Sequence, residues 1–392
     1  MANAKMAETK MNPERTRSQR GFTMVEMMVA SVAGLTVILV MTLLFKQGID
    51  TTFVVTQRAE VQQNMRAAIE LMSKDIGMAG AGLPTGGLQL ASGTATKVAC
   101  NQGGICYVPG DTLPLSGSGT INYMYGLLPG FNNGVQNAAI IPNALGQIND
   151  SITSIYCDYN FPLSNFTFTF PNATTASVAV VNAGVLPNNI LAPGGLNLGD
   201  LMLFTVTTPG PGNGNQGTAA AQTYAVAEIT GVPNATTIDF AAGDALNYNQ
   251  AGPNSFALLT AAAGGGTVSA CRLEAVTYFL QVPPAGGTLQ TPRLMRQVNG
   301  LTAVPVADNI INLQFSYDVI NSLTDTVTAN QANPIAAGLS PALIQKVNMW
   351  VMGESLTTKG NKSQSMYLAS SVAARNMSFC NSYSYSTTAC TN

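Results

Sequence analysis

The chain has 392 residues, 17 basic and 19 acidic side chains and a formal net charge of −2, with only 9% of its residues charged. That length holds one large or two modest domains, and the low charge excludes nucleic-acid binding through a general basic field. There is no histidine, which removes Ser-His-Asp and Cys-His catalysis, histidine-held zinc and the commonest general base. Residues 1–20 are polar and carry Lys5, Lys10, Arg15, Arg17 and Arg20 against Glu8 and Glu14. From Phe22 to Phe45 there follow 24 residues with one charge, Glu26. A run that long spans a bilayer as a helix, and the basic flank keeps the N-terminus on the cytoplasmic side. A lone carboxylate in such a run costs about 2.5–3.5 kcal/mol, so Glu26 predicts a partner. A cleaved secretory signal would have a shorter apolar core and a small-x-small site behind it. An ordinary anchor leaves Glu26 unexplained.

The helix is predicted to continue. Lys46 to Ala79 contains no proline, and Val54, Val61, Met65, Ile69, Met72 and Ile76 fall on one helical face. Arg58, Glu60, Arg66, Glu70 and Lys74 lie off that stripe, and Gly77, Gly80, Gly82 and Pro84 end it. Phe22 to Met78 as one helix is on the order of 85 Å long. Its first half, 22–45, is apolar all round, and its second half, 46–82, is amphipathic.

Residues 83–265 are rich in Gly, Pro, Asn, Thr and Ala. Short strands are predicted at Thr120–Tyr125, Ser164–Phe170, Ser177–Val181, Asp200–Thr207 and Tyr224–Ile229, with a loop at Pro209–Gly217. Ala261–Gly266 is a small-residue joint, where a boundary is placed. Residues 266–392 hold five longer strand candidates: Ser269–Gln281, Arg293–Val298, Ile311–Ile320, Leu343–Met352 and Ser365–Ala374. These are expected to form an antiparallel sheet on which the helical stripe packs.

Six cysteines lie beyond the apolar run. In an oxidising compartment the simplest pairing is Cys100–Cys106, Cys157–Cys271 and Cys380–Cys390, one of 15 connectivities; free buried thiols are the alternative. There is no Walker loop and no dinucleotide fingerprint, and Gly117-Ser118-Gly119 is a lone turn rather than a nucleophile elbow. Asp318, Asn321 and Asp325 cluster as a calcium candidate, without the EF-hand spacing; a solvated turn is the competing reading. Asp308 has no second carboxylate beside it for acid–base work. Tyr383 and Tyr385 suit either a subunit contact or a tail tied by Cys380–Cys390. No catalytic residue, metal or cofactor is expected, and the chain reads as non-enzymatic.

Arg20-Gly21-Phe22-Thr23-Met24-Val25-Glu26 resembles the type III signal of type IV prepilins and pseudopilins. The resemblance implies that a membrane peptidase, also a methyltransferase, cuts after Gly21 and methylates the new amine of Phe22. It makes Glu26 an assembly residue. Residues 1–21 are then a leader, and the chain without them has 12 basic and 17 acidic side chains, a formal charge of −5. The cationic amine of Phe22 is one helical turn from Glu26, and a buried charge is tolerable only when paired, so the carboxylate neutralises its own amine or a neighbour's and sets subunit register.

Gln63-Asn64-Met65-Arg66-Ala67-Ala68, Leu71, Asp75-Ile76 and Ala79-Gly80 resemble the PilW-type minor pilins, which ordinarily carry Arg at the position of Gly77. The stretch Ser371-Val372-Ala373-Ala374-Arg375-Asn376 is similar to the same group, and the J-type pseudopilins of type II secretion share the layout. The implied fold is α+β and pilin-like: a long N-terminal helix, transmembrane in its first half, on a C-terminal antiparallel sheet, with a large β-rich insertion at 83–265. The implied life is that of a single-pass inner-membrane protein later assembled with other minor and major pilins, at or near a pilus tip where a bulky insertion finds room. The reading of another class is an exported adhesive or hydrolytic domain merely anchored by this helix.

Overall fold

A computed structural model describes residues 21–84, 86–90, 96–98, 112–113, 119–120, 123–132, 149–158, 160–161, 163–180, 190, 195–208, 221–250, 255–257, 259, 266–281, 292–321, 326–335, 337–355 and 364–377. They form one long helix, α1 (Met24–Met78), and a large antiparallel β body. The chain divides into two compact units, residues 1–57 and 58–392.

In the first unit α1 exposes its apolar side chains on every side, from Met24 at 80% to Phe45 at 72%, and on through Ile49, Phe53 and Val55. The exposed apolar surface therefore runs about three turns past Phe45, where the amphipathic half was expected to begin. Val54, expected on the packing stripe, is only half-buried.

In the second unit the helix buries Val61, Met65, Ala68, Ile69, Met72, Asp75 and Ile76. It stops where Gly80 and Gly82 take φ of 81° and 75°, a conformation that ends helices and that glycine adopts without a Cβ penalty.

The strands, in chain order, are β1 (Leu88–Gln89), β2 (Thr112–Leu113), β3 (Gly119–Thr120), β4 (Tyr123–Met124), β5 (Leu127–Gly130), β6 (Ser151–Asp158), β7 (Phe166–Asn172), β8 (Thr175–Val180), β9 (Leu201–Thr208) and β10 (Ala221–Glu228). There follow β11 (Gly231–Asn234), β12 (Thr237–Asp239), β13 (Thr267–Gln281), β14 (Arg293–Val298), β15 (Val304–Asp308), β16 (Ile310–Asn321), β17 (Thr326–Gln331), β18 (Ile344–Glu354) and β19 (Ser365–Ala373). The C-terminal sheet has the order β17-β16-β18-β19; a seven-stranded sheet is built on β10-β9-β13-β14-β15, with β6 branching from β13 and β5 paired to β6; a third sheet is β11-β12-β8-β7.

The five long C-terminal strands do not share one sheet. β13 and β14 lie in the seven-stranded sheet, and only β16, β18 and β19 join the C-terminal one. Asn309, between β15 and β16, has φ 66°; that left-handed residue turns the chain from one sheet into the next. The helical stripe accordingly packs on both sheets: Leu313, Phe315, Val347 and Val351 from one, and Ile152, Val276, Tyr278 and Leu280 from the other. At Gly353 in β18 a Cβ would stand 2.7 Å from Val61 Cγ1, so only glycine lets strand and helix approach this closely.

β13 holds the body together. Its residues 272–278 pair with β6, 267–273 with β9 and 276–281 with β14. β9 and β14 therefore share one edge end to end, and β6 occupies the other. Alternation along β13 then feeds three cores. Val276, Tyr278 and Leu280 face the helix; Leu273 and Ala275 face a core with Leu201, Leu203 and Val226; Val268 and Ala270 touch a phenylalanine core. In that last core Phe204 meets Phe168, Phe240 and Phe256 with ring centroids 5.6, 5.5 and 5.3 Å away. The strand after residue 266 thus has neighbours from 83–265, and one sheet crosses the expected boundary. Pro209–Gly217 lies outside the described residues.

Candidate functional site

Two carboxylates on α1 organise the chemistry, one at its start and one near its end. At the start, Gly21 and Phe22 precede the helix and Phe22 is 89% exposed. A Cβ built on Gly21 meets no atom within 4 Å. Thr23 and Glu26 form a reciprocal cap: Glu26 N–H donates to Thr23 Oγ1 at 3.2 Å, while Thr23 N–H and Oγ1–H each donate to Glu26 Oε2 at 3.0 Å. The sequence T-x-x-E is the capping-box pattern, which satisfies two otherwise orphaned amides and sets a negative charge against the positive helix end. With the Gly21–Phe22 bond intact, the Glu26 carboxylate therefore has partners within its own turn, which the cost of a lone charge in an apolar run does not reveal. Thr23 three residues before Glu26 is the signal that reveals it.

Farther along, the hydroxyls of Ser31, Thr36 and Thr42 donate to the carbonyls of Met28, Val32 and Ile38 at 2.8–2.9 Å. These bonds hide polar atoms that an apolar surrounding would otherwise penalise. The helix is long and apolar enough to cross a membrane.

At the other end, Asp75 is 3% exposed. Its Oδ2 accepts from Tyr278 Oη at 2.6 Å and Arg296 Nε at 2.8 Å, and its Oδ1 accepts from Tyr156 Oη at 3.0 Å. Ser154 Oγ donates to the Asp75 carbonyl at 2.9 Å, and Glu274 stands 3.8 Å from Arg296. One helical carboxylate thus gathers β6, β13 and β14. Burial works against the Arg296 charge, but its bond to Asp75 outweighs that and raises its pKa. Burial and then the Asp75 charge drive both tyrosine hydroxyls well above their usual range, which keeps them neutral donors. The sequence marks Asp75 only as part of a family pattern. Its place three residues after Met72, on the buried stripe, is the signal that an acid here needs partners.

Cys157 and Cys271 are joined by a disulfide with Cα atoms 5.7 Å apart, tying β6 to β13 across 114 residues of sequence. Beside it Arg272 forms an ion pair with Asp158, directly opposite in register, and its guanidinium lies 5.4 Å from the Phe161 ring centroid. Burial raises the Asp158 pKa, but the Arg272 bond and the Asn160 amide outweigh it and hold the carboxyl low. Cys100, Cys106, Cys380 and Cys390 lie outside the described residues, as do Tyr383, Tyr385, Gly117 and Ser118.

Asp318 is taken up by Lys346, the Asn330 amide and Asn348 Nδ2. Asp325 is outside the described residues, and Asn321 ends β16. Asp318 is thus committed to protein partners, and the calcium candidate as a set of three lies partly outside the described residues. Asp308 pairs with Arg293 at 2.6 Å, opposite it in register. Among the described residues no three of His, Cys, Asp and Glu stand together to hold a metal ion.

The prokaryotic N-terminal methylation motif matches residues 16–42. Neither a curated protein nor a solved structure matches the chain. The motif covers Arg17 and Arg20 at the end of the basic flank, the glycine, the capping box and most of the exposed apolar run, and it supports a structural protein of the type IV pilin or pseudopilin kind, anchored in a membrane and processed by prepilin peptidase.

Proposed function

We propose that the chain is a minor pilin of the PilW type. It is made as a precursor in the inner membrane with residues 1–21 as leader, cleaved between Gly21 and Phe22, methylated on Phe22 and assembled with other minor and major pilins at or near a pilus tip. The observation that carries this reading is the methylation motif running into a helix whose apolar side chains stay exposed to Val55. Such a surface needs lipid before assembly and neighbouring helices after it.

The chemistry is a change of partner. In the precursor Glu26 is satisfied by Thr23. Cleavage converts the Phe22 amide into a cationic amine four residues away, and in a helix-lined filament core that charge requires a carboxylate. The tip position is supported by bulk: the second unit spans residues 58–392 and adds two further cores beyond the one against the helix.

The test is mass spectrometry of the product with comparison of Glu26→Gln and wild type in filaments. Expected are a mature N-terminus at N-methylated Phe22, and a Glu26→Gln variant that inserts in the membrane but is depleted from sheared pili. A chain still starting at Met1, or wild-type incorporation of the variant, overturns the reading. Deletion is expected to remove surface pili; loss of type II secretion with pili intact would move the chain to the pseudopilins.

A further inference from the structure

The C-terminal sheet has an outer face, turned away from α1, whose composition differs from the rest of the body. Register sets Gln314 opposite Trp350 and Ser316 opposite Asn348 between β16 and β18. It sets Trp350 opposite Ala369 and Asn348 opposite Ser371 between β18 and β19. Directly opposed residues share a face, so these six side chains line one surface, while Phe315, Val347 and Val351 point the other way into the core. Trp350 is the only tryptophan in the chain. It is half-buried, and its ring stacks beside that of Tyr367, with centroids 6.2 Å apart and planes 26° from parallel. Tyr367 is 71% exposed.

Small residues on β19 next to a large ring on β18 leave a depression of about 460 Å³ over Gln314, Ser316, Asn348, Trp350, Ala369 and Ser371. That is within the range of small-ligand sites, which join aromatic walls to a few placed polar groups. The lining carries no charge, and on the same face Lys346 and Asp318 neutralise each other in an ion pair. Asn348 is held in one orientation: its Nδ2 donates to Asp318 Oδ1 at 3.1 Å and Asn330 Oδ1 at 3.2 Å. A fixed amide is pre-organised for recognition.

We propose that this face binds a neutral glycan. A hexopyranose lays its C–H face on the Trp350–Tyr367 pair, and its hydroxyls meet the amides of Gln314 and Asn348 and the hydroxyls of Ser316 and Ser371. Uncharged lining fits an uncharged ligand. Aromatic rings beside amides and hydroxyls match a molecule that is apolar on one face and polar at its rim. The depression, about 460 Å³, has room for one or two sugar rings. This site lies on the C-terminal sheet and stands independently of the pilin reading.

Because Trp350 is the only tryptophan, its emission reports this site alone in the full chain, held in a sugar-free detergent such as an amine oxide. Cellotetraose, mannotetraose and chitotetraose are the neutral probes, and tetragalacturonate is the acidic control. Expected is a saturable change in Trp350 emission with at least one neutral probe and none with the acidic one. Tyr367→Ala should raise the midpoint about tenfold, the worth of one aromatic contact. Ala369→Arg, at an exposed position, should abolish the response while leaving the circular dichroism spectrum unchanged. No response to any neutral probe, a response that Ala369→Arg leaves intact, or equal binding of the acidic control would overturn the proposal. So would an emission change that follows protein concentration and not sugar, since a second copy would then cover the face.

Discussion

The two ends of α1 treat an acid in opposite ways. Glu26 lies in an exposed apolar stretch and is satisfied by its own helical turn. Asp75 is buried, and its carboxylate is satisfied by residues 81 to 221 positions away in sequence. A local partner can be exchanged without disturbing the fold, whereas a partner on three strands fixes the fold. The first end is therefore free to change its bonding when the chain is processed, and the second anchors the helix to the β body. Local and long-range satisfaction of the same group, a carboxylate, separate an assembly element from a structural one.

The largest expected effect breaks the comparison at its first end. A leucine at Gly21 has open space around it, so Gly21→Leu should leave the fold and the Thr23–Glu26 cap unchanged. Under the proposed processing it should abolish cleavage, and mass spectrometry should find the full-length precursor alone. A product of mature mass would remove the assigned scissile bond.

The helix was legible in the sequence because both its signals are local: an apolar run without proline, then a stripe at helical spacing. The helix end at Gly80 and Gly82 was legible for the same reason. The sheet partnership was not. β6 reads Ser-Ile-Thr-Ser-Ile-Tyr-Cys-Asp, and all eight residues are buried, so no alternation of apolar and polar marks it as a strand. Its polar groups are satisfied only across space, Thr153 by Thr277 at 2.8 Å and Ser154 by the Asp75 carbonyl. Five long C-terminal strands could be recognised singly, but which of them pair is decided by non-local register, and the corner at Asn309 carries no signal beyond one Asn. At the site, Glu26 stood out because a charge in an apolar run is conspicuous. Asp75 did not, because its partners Tyr156, Tyr278 and Arg296 come from distant segments.

The second end of the helix sharpens the comparison through stability. Asp75→Asn leaves Arg296 with Glu274 alone, at 3.8 Å. Removing one partner of a buried pair costs about 3–5 kcal/mol, and the 21% exposure of the Arg296 side chain puts this pair at the low end, about 3 kcal/mol. Urea unfolding of the β body should show it. Asp75→Leu with Arg296→Met should recover much of the loss, since no buried charge is then left unpaired; a double variant less stable than Asp75→Asn would count against the pairing. Cys157→Ser should cost a comparable amount, about 2–4 kcal/mol, and the same loss should follow in wild type on reduction. An unchanged midpoint under reducing conditions would show that β6 and β13 are held by their ladder and by Arg272–Asp158 alone.

The smallest effect tests a third acid, one that bridges the two sheets. Asp150 is 2% exposed and accepts from the Phe315 amide at 2.9 Å and the Asn132 amide at 2.8 Å. Burial pushes its carboxyl up to about 7, and the two amides only partly offset that. Its folded pKa is thus above its unfolded value near 4, so the folded chain binds more protons between those limits. Stability must therefore fall as pH rises from about 4 to about 7, at no more than about 1.4 kcal/mol per pH unit from this residue. Glu228, also raised by burial, slopes the same way, so the difference between wild type and Asp150→Asn isolates the one group. Wild type should exceed the variant most near pH 4.5, and the gap should narrow by pH 7.5. Asp158 and Asp318, whose carboxyls are held low, lose their contribution only at more acid pH and leave this window undisturbed. A gap that stays constant across the window would mean that Asp150 is ionised in the folded chain throughout.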